Sequence, residues 1–211
     1  VLYAWHPGTM GGPALADILF GDVPPSAKLT TTFPRTVGQV PLYYNHKSTG
    51  RPPLKSELGI PMGTPQDPRN FRSDYLDVDF TPAYPFGYGL SYTRFRYDNL
   101  GLSSPSMSRE GEIIVSAEIT NTGSRRGTEI VQLYIQDRFG SITRPVRELK
   151  GFQRITLNPG ESQTVTFELN AEQCSFYGMD NTRIVEPGTF NIWIAKDAAS
   201  GLKSSFRITE K

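Results

Sequence analysis

Four polar residues in one short stretch, Asn45, His46, Lys47 and Arg51, form the most site-like cluster of the 211-residue sequence. An amide, an imidazole, an ammonium and a guanidinium together can donate to and accept from a hydroxyl-rich ligand. The cluster is expected on a loop, where binding residues concentrate. The alternative is that these residues pack the loop against a neighbouring domain. A second candidate is acidic: Ser73-Asp74-Tyr75 is followed by Asp77 and Asp79. Clustered carboxylate oxygens suit a hard cation. Arg69 and Arg72 lie beside them, however, and a solvated acidic turn is the preferred reading. His6, between Trp5 and Pro7, stands at the end of an expected strand. Ligands bind at such ends in α/β sheets, so His6 either faces a site or is a hydrogen-bonded structural residue; the latter is favoured. His6 and His46 are the sole histidines and have no neighbouring cysteine, which argues against structural zinc. Cys174 is unpaired in sequence, rules out an internal disulfide, and beside Phe176 reads as a buried free thiol. No metal or cofactor is expected.

Composition narrows the partners. With 22 Lys+Arg against 21 Asp+Glu the chain has no long-range field for nucleic acid or anionic membranes. No apolar run approaches the ~20 residues that span a bilayer. A hydrophobic content of 37% with 11% aromatics is enough for a packed core.

Backbone grammar divides the chain. Thirteen of the 17 prolines precede residue 86. Val1 to Trp5 are apolar and suit a strand; His6-Pro7-Gly8 turns the chain. Pro13 fits the first helical position, Ala14, Leu15, Ile18 and Leu19 share a helical face, and Gly21 suits a C-cap. A strand followed closely by a helix is half of a βαβ unit, whose remaining strands are expected upstream of Val1. A chain opening inside a strand reads as the C-terminal piece of something larger. Residues 22–90 have little periodicity and are expected to wrap a neighbouring domain. From Phe95 the pattern alternates: Ile113, Val115, Ala117 and Ile119; Val131, Leu133 and Ile135; Val165, Phe167 and Leu169; Phe190, Ile192 and Ile194; Phe206 and Ile208. Asn121-Thr122-Gly123, Asn158-Pro159-Gly160 and Glu186-Pro187-Gly188 mark turns. Short alternating strands at this spacing predict an immunoglobulin-like β-sandwich.

Several long segments are then recognisable. Trp5-His6-Pro7-Gly8-Thr9-Met10-Gly11-Gly12, Ala16-Asp17-Ile18-Leu19-Phe20-Gly21-Asp22, Lys28-Leu29 and Thr32-Phe33-Pro34 resemble glycoside hydrolase family 3, at the end of its second, α/β-sandwich domain. Tyr44-Asn45-His46-Lys47, Thr49-Gly50-Arg51-Pro52 and the run from Tyr84 to Thr93 resemble its periplasmic β-glucosidase branch. Val131-Gln132-Leu133-Tyr134, Arg144 to Phe152 and Glu186-Pro187-Gly188 resemble its C-terminal fibronectin type III-like domain. Met10, Val23, Pro24, Ala27 and Thr30 depart from the family pattern, which bears on local loop contacts and not on the fold.

The resemblance implies a mainly β fold: a fibronectin type III-like β-sandwich (94–211) preceded by the tail of an α/β sandwich domain (1–43) and a Pro-rich interdomain linker (44–93). It implies that the nucleophilic Asp and the acid/base Glu of a retaining β-glucosidase lie upstream, that Asn45, His46, Lys47 and Arg51 are substrate-proximal, and that the protein is periplasmic or secreted. The partners implied are the upstream barrel and α/β sandwich domains and a β-glucoside or oligosaccharide. Ser73-Asp74-Tyr75 resembles the family's nucleophile motif only superficially, and neither Asp74 nor Glu57 is expected to be catalytic. Tyr84, Phe86, Tyr88 and Tyr92 could stack on sugar faces; gluing two domains together is the simpler account. Arg144, Arg147, Glu148 and Lys150 are expected on a solvated or interdomain face. Trp193, out of phase with its strand, either forms a binding platform or covers a second hydrophobic layer. A stand-alone carbohydrate-binding or structural module is the alternative function. An unpaired first strand and an apolar helix face predict packing on the sandwich, self-association or poor order over the first 20 or so residues.

Overall fold

Period-two alternation places successive side chains on opposite faces of a strand, and the expected runs form strands throughout the second half. The computed structural model describes residues 1–53, 63–65, 72, 73, 75 and 77–210. Among the described residues ten strands follow a single α-helix: β1 (Phe95–Leu102), β2 (Ser106–Met107), β3 (Glu112–Asn121), β4 (Gly127–Asp137), β5 (Glu148–Leu157), β6 (Ser162–Asn170), β7 (Phe176–Tyr177), β8 (Arg183–Ile184), β9 (Gly188–Ala195) and β10 (Leu202–Ile208). They build a smaller sheet in the order β1-β3-β6, a larger one in the order β2-β10-β9-β4-β5, and the β7-β8 hairpin. Every pairing is antiparallel except the short one between β2 and β10.

The two sheets face each other across one core. Val115, Ile119, Val165 and Leu169 from the smaller sheet meet Val131, Leu133, Ile192, Ile194 and Phe206 from the larger. Each such side chain, once buried, stabilises the fold by roughly 1.5–3 kcal/mol before chain entropy is counted. Phe190 and Phe206 stack with centroids 5.3 Å apart. The β3–β4 turn is pinned from inside by Asn121, which is fully buried. Its Nδ2 donates to the carbonyls of Arg125 (2.8 Å) and Leu157 (2.9 Å), and its Oδ1 accepts from the Gly123 N–H and the Thr93 hydroxyl. The mainly β, fibronectin-like sandwich expected from the sequence is the observed architecture.

The front of the chain differs from expectation in two ways. Residues 1–4 are not a strand, because among the described residues no other strand pairs with them. Trp5 turns away with φ +49°. The helix α1 (Gly11–Phe20) starts before Pro13, which sits inside its first turn, where no intrahelical donor is required of it. Gly21 caps it in the left-handed conformation, φ +87°, as its sequence position suggested. Its apolar face is only partly covered: Leu15 and Ile18 are half-buried, whereas Leu19 and Phe20 are 68% and 86% exposed.

The strand β5 was not legible as a strand. Its first half alternates weakly because Glu148, Leu149, Lys150 and Gly151 are all half-buried, and Phe152 points to solvent.

Candidate functional site

The outward face of β4 and β9 is where the Pro-rich segment meets the sandwich. Gln132 and Tyr134 alternate with the core residues of β4, and Trp193 and Ala195 with those of β9. Tyr134 pairs with Trp193 across the two strands. In a two-layer sandwich these positions would face water. Here Tyr134, Trp193 and Ala195 form a second buried cluster, packed against Tyr44, Phe86, Leu149 and Ala198. Both faces of the central strands are therefore covered. Trp193 is the base of this second layer, beneath the Arg147 guanidinium at 4.3 Å and the Lys203 ammonium at 5.3 Å, and not an open platform.

The covering segment is held by backbone pairing and by rings. Leu29 donates to the Tyr88 carbonyl and accepts from the Gly87 N–H, both at 2.8 Å, and Phe33 forms an isolated bridge with Tyr84. Tyr44 stacks on Phe86 and meets Tyr134 edge-on. Gly87 has φ +78°, and a Cβ there would stand 2.2 Å from Gln132 Oε1. Gln132 Nε2 reaches the carbonyls of Gly87 (3.2 Å) and Lys196 (2.8 Å), while its Oε1 accepts the Tyr134 hydroxyl. Burial raises the Tyr134 pKa well above its ordinary value, so the phenol stays a donor at neutral pH. Lys28 from the front of the chain forms a 2.7 Å ion pair with Glu129 on β4, and the Tyr97 hydroxyl donates to the same carboxylate at 3.0 Å. Of the aromatic run from Tyr84 to Tyr92, Phe86 packs into the second cluster and Tyr88 is half-buried, whereas Tyr84 and Tyr92 are 45% and 43% exposed. Tyr92 also donates to the Ile18 carbonyl of α1 at 2.7 Å.

A cleft of about 260 Å³ opens at this seam, lined by Tyr43, His46, Thr81, Phe86, Arg147 and Ala199 among others, and among the described residues no carboxylate lines it. Of the four residues singled out from sequence, His46 reaches the cleft. Its carbonyl accepts the Val146 N–H at 2.9 Å, and Lys47 forms a bridge with Pro145. Asn45 and Lys47 stand beside it with exposed side chains. Arg51 lies farther along the loop, where its carbonyl accepts the Ser73 N–H at 2.9 Å. A second cleft, of about 360 Å³, lies between residues 21–26 and the start of β4 and holds Arg125, Arg126, Arg154 and Asp22.

The charged run on the β4–β5 connection is not a solvated face. Arg144 is nearly buried, stacks over Phe176 at 4.3 Å, and bonds Glu148 at 2.8 Å; Lys150 bonds the other Glu148 oxygen at 2.9 Å. Asp137 lies 3.7 Å from Arg144, and burial raises its pKa despite that cation. Arg147 faces the seam and donates to the Ser200 carbonyl at 2.8 Å. Alternating charge in the sequence hides this, because each Arg lays its stem and planar head on an aromatic ring.

The remaining candidates are structural or undescribed. Asp74 and Glu57 lie outside the described residues. Asp77 is exposed, and Asp79 accepts the Thr81 N–H at 2.7 Å in a tight turn, while its carbonyl takes the buried Gln39 amide. Among the described residues no three His, Cys, Asp or Glu side chains converge as a metal site. His6 is exposed in the turn after Trp5. Cys174 is buried, and burial pushes its thiol pKa up to about 12. The residues that sequence reasoning missed are Gln132, Glu129 and Lys28. Gln132 is polar at an outward strand position and Lys28 lies in a Pro-rich segment, both of which elsewhere mean solvent, whereas Glu129 stands in the inward row of β4 with Val131 and Leu133.

Residues 1–92 match the glycosyl hydrolase family 3 C-terminal domain, and residues 129–198 match the fibronectin type III-like domain. The chain belongs to glycoside hydrolase family 3. This family 3 chain is 46% identical over 208 residues to a periplasmic beta-glucosidase of Salmonella typhimurium, covering 99% of the chain and 26% of that protein. It is 42% identical over 205 residues to a beta-xylosidase of Formosa agariphila, covering 97% and 26%. Its fold superposes on the beta-glucosidase of Listeria innocua, solved with isofagomine, with a TM-score of 0.86 at 38% identity, covering 97% of the chain and 27% of that structure. The chain spans about a quarter of the length of these relatives. Among the described residues no helix is long and apolar enough to cross a membrane.

Proposed function

We propose that this chain is the C-terminal part of a retaining β-glucosidase and is itself non-catalytic. The parent hydrolyses terminal, non-reducing β-D-glucosyl residues with its nucleophilic Asp and acid/base Glu upstream. The observation that carries the non-catalytic reading is coverage: the chain matches a C-terminal domain and spans about a quarter of the length of its relatives. A retaining glycosidase needs two carboxyl groups about 5–5.5 Å apart; among the described residues one cleft has no carboxylate in its wall and the other has Asp22 alone. The 46% identity with a periplasmic beta-glucosidase favours glucosidase chemistry and a periplasmic or secreted location.

In this reading residues 1–43 end an α/β sandwich domain, 44–93 are the interdomain wrap, and 94–211 are the stabilising sandwich. Asn45, His46, Lys47 and Arg51 are substrate-proximal and bond sugar hydroxyls in the complete enzyme. The upstream barrel and sandwich domains cover the apolar side chains of residues 1–20; without them those residues favour self-association.

The deciding experiment is hydrolysis of an aryl β-D-glucoside by the purified chain and by the longer polypeptide that carries it. Turnover by the longer protein alone is expected. Turnover by the chain itself, lost in Asp74→Asn or Glu57→Gln, would overturn the proposal. An aryl β-D-xyloside run in parallel reads the alternative specificity that the Formosa relative raises.

A further inference from the structure

The loop carrying Asn45, His46 and Lys47 follows Tyr44, whose ring packs on Tyr134, and itself meets the sandwich through backbone: the Val146 N–H donates to the His46 carbonyl at 2.9 Å, and Lys47 bridges Pro145. The next residue along the chain is anchored by its side chain. The Arg147 guanidinium lies over the Trp193 ring at 4.3 Å and donates to the Ser200 carbonyl at 2.8 Å. Arg147 and His46 line the same cleft. On the other side of the turn, Arg144 points away toward Glu148 and Phe176 and takes no part in the cleft. Resting on the substrate-proximal reading of the 45–51 loop, we propose that Arg147 is a positioning residue that sets where His46 and Lys47 stand by fixing the backbone they pair with.

The chemistry suits an arginine. Its planar head stacks on an indole face while its edge donates in the ring plane. An ammonium satisfies one of these contacts at a time. The anchor is also rigid: Trp193 is buried on β9, and Ala198 next to the Ser200 turn donates to the Phe86 carbonyl at 2.9 Å. The wrap, the sandwich turn and the polar loop therefore share one support, and the sandwich becomes a template for a loop more than 90 residues earlier in the chain.

Hydrogen exchange on the intact chain tests the anchoring. Arg147→Met is expected to speed exchange at the Val146 amide by up to about tenfold, the worth of one net hydrogen bond, and to leave the β3 amides of Val115 and Ile119 unchanged. Arg147→Lys is expected to fall between. His46→Ala keeps the Val146 amide protected, because the acceptor is a backbone carbonyl. Unchanged exchange at Val146 in Arg147→Met, or a rise spread equally over β3, would overturn the proposal. Where Arg147→Met does not fold, Arg147→Lys is read at the same Val146 amide, and unchanged exchange there would overturn the proposal equally. In the longer polypeptide, Arg147→Met should raise KM for an aryl β-glucoside several-fold more than it lowers kcat. If His46→Ala raises KM and Arg147→Met does not, the positioning role is wrong. If Val146 loses protection and neither variant moves KM, the anchor stands and the substrate-proximal reading of the loop is wrong.

Discussion

Tyr44 lies stacked on Phe86, their ring centroids 4.3 Å apart and their planes 21° from parallel. The pair joins the two ends of the Pro-rich segment over the outward face of β4 and β9, and Tyr134 meets Tyr44 edge-on from below. Phe86→Ala is therefore expected to lower unfolding free energy by about 2–3 kcal/mol, less than for a fully enclosed Phe. Urea unfolding of the chain checks this. A Tyr44 side chain detached from the sheet should also show as faster ring flipping by NMR.

Gly87 carries two constraints at once. Its φ of +78° disfavours any side chain, and its missing Cβ leaves room for the Gln132 amide. Gly87→Ala should cost at least about 1 kcal/mol through backbone strain, with overpacking against Gln132 added. The double variant Gly87→Ala/Gln132→Ala should cost less than the sum of the singles, by about 0.5–3 kcal/mol, because the clash disappears and the strain does not. Strict additivity would show that the two residues are not in register.

The Lys28–Glu129 pair links the front of the chain to β4, and both side chains are nearly buried. Lys28→Met leaves a buried carboxylate with only the Tyr97 hydroxyl, a loss of about 3–5 kcal/mol. Lys28→Met/Glu129→Gln should recover most of it, since the amide oxygen still accepts from Tyr97. Denaturation midpoints of the two variants decide this.

Asp137 sets a pH dependence whose sign runs against the usual carboxylate. Burial raises its folded pKa, so the folded state holds the proton where the unfolded state has lost it. Stability from this group therefore falls as pH rises from the ordinary Asp value through the raised one. Asp137→Asn keeps the acceptor for the Phe139 N–H and should gain stability relative to the parent across that window. A stability difference constant from pH 4 to pH 7 would contradict the shift.

Cys174, with its thiol pushed up to about 12 by burial, should resist disulfide-exchange reagents at pH 8 in the folded chain and react readily in denaturant. Rapid labelling of folded protein would mean that the core around Cys174 opens often.

Much of this molecule is readable from local pattern. The inward rows of β3, β4, β6, β9 and β10 follow from period two alone, since alternation is a property of strand geometry within a few residues. Gly21 at the end of α1, and the turns at Asn121 and Asn158, follow from single-residue backbone preference. The packing role of Phe86 could be chosen over sugar stacking because it required nothing beyond burial; the exposure of Tyr84 and Tyr92 was not visible in the same pattern. Of the candidate site, residue type and loop placement were visible for Asn45, His46, Lys47 and Arg51; which of them meets a cleft was not.

Sequence alone determined the sandwich, the family and the irregular character of the wrap, because strand rows, turn residues and long motifs are each written in consecutive positions. Tertiary structure alone decided that β4 and β9 are buried on both faces, that Arg144 and Arg147 lie on aromatic rings instead of in water, and that residues 1–4 pair with no strand among the described residues. These depend on which distant segment arrives at a given surface. A polar residue at an outward strand position looks the same in sequence whether solvent or a Pro-rich loop lies over it.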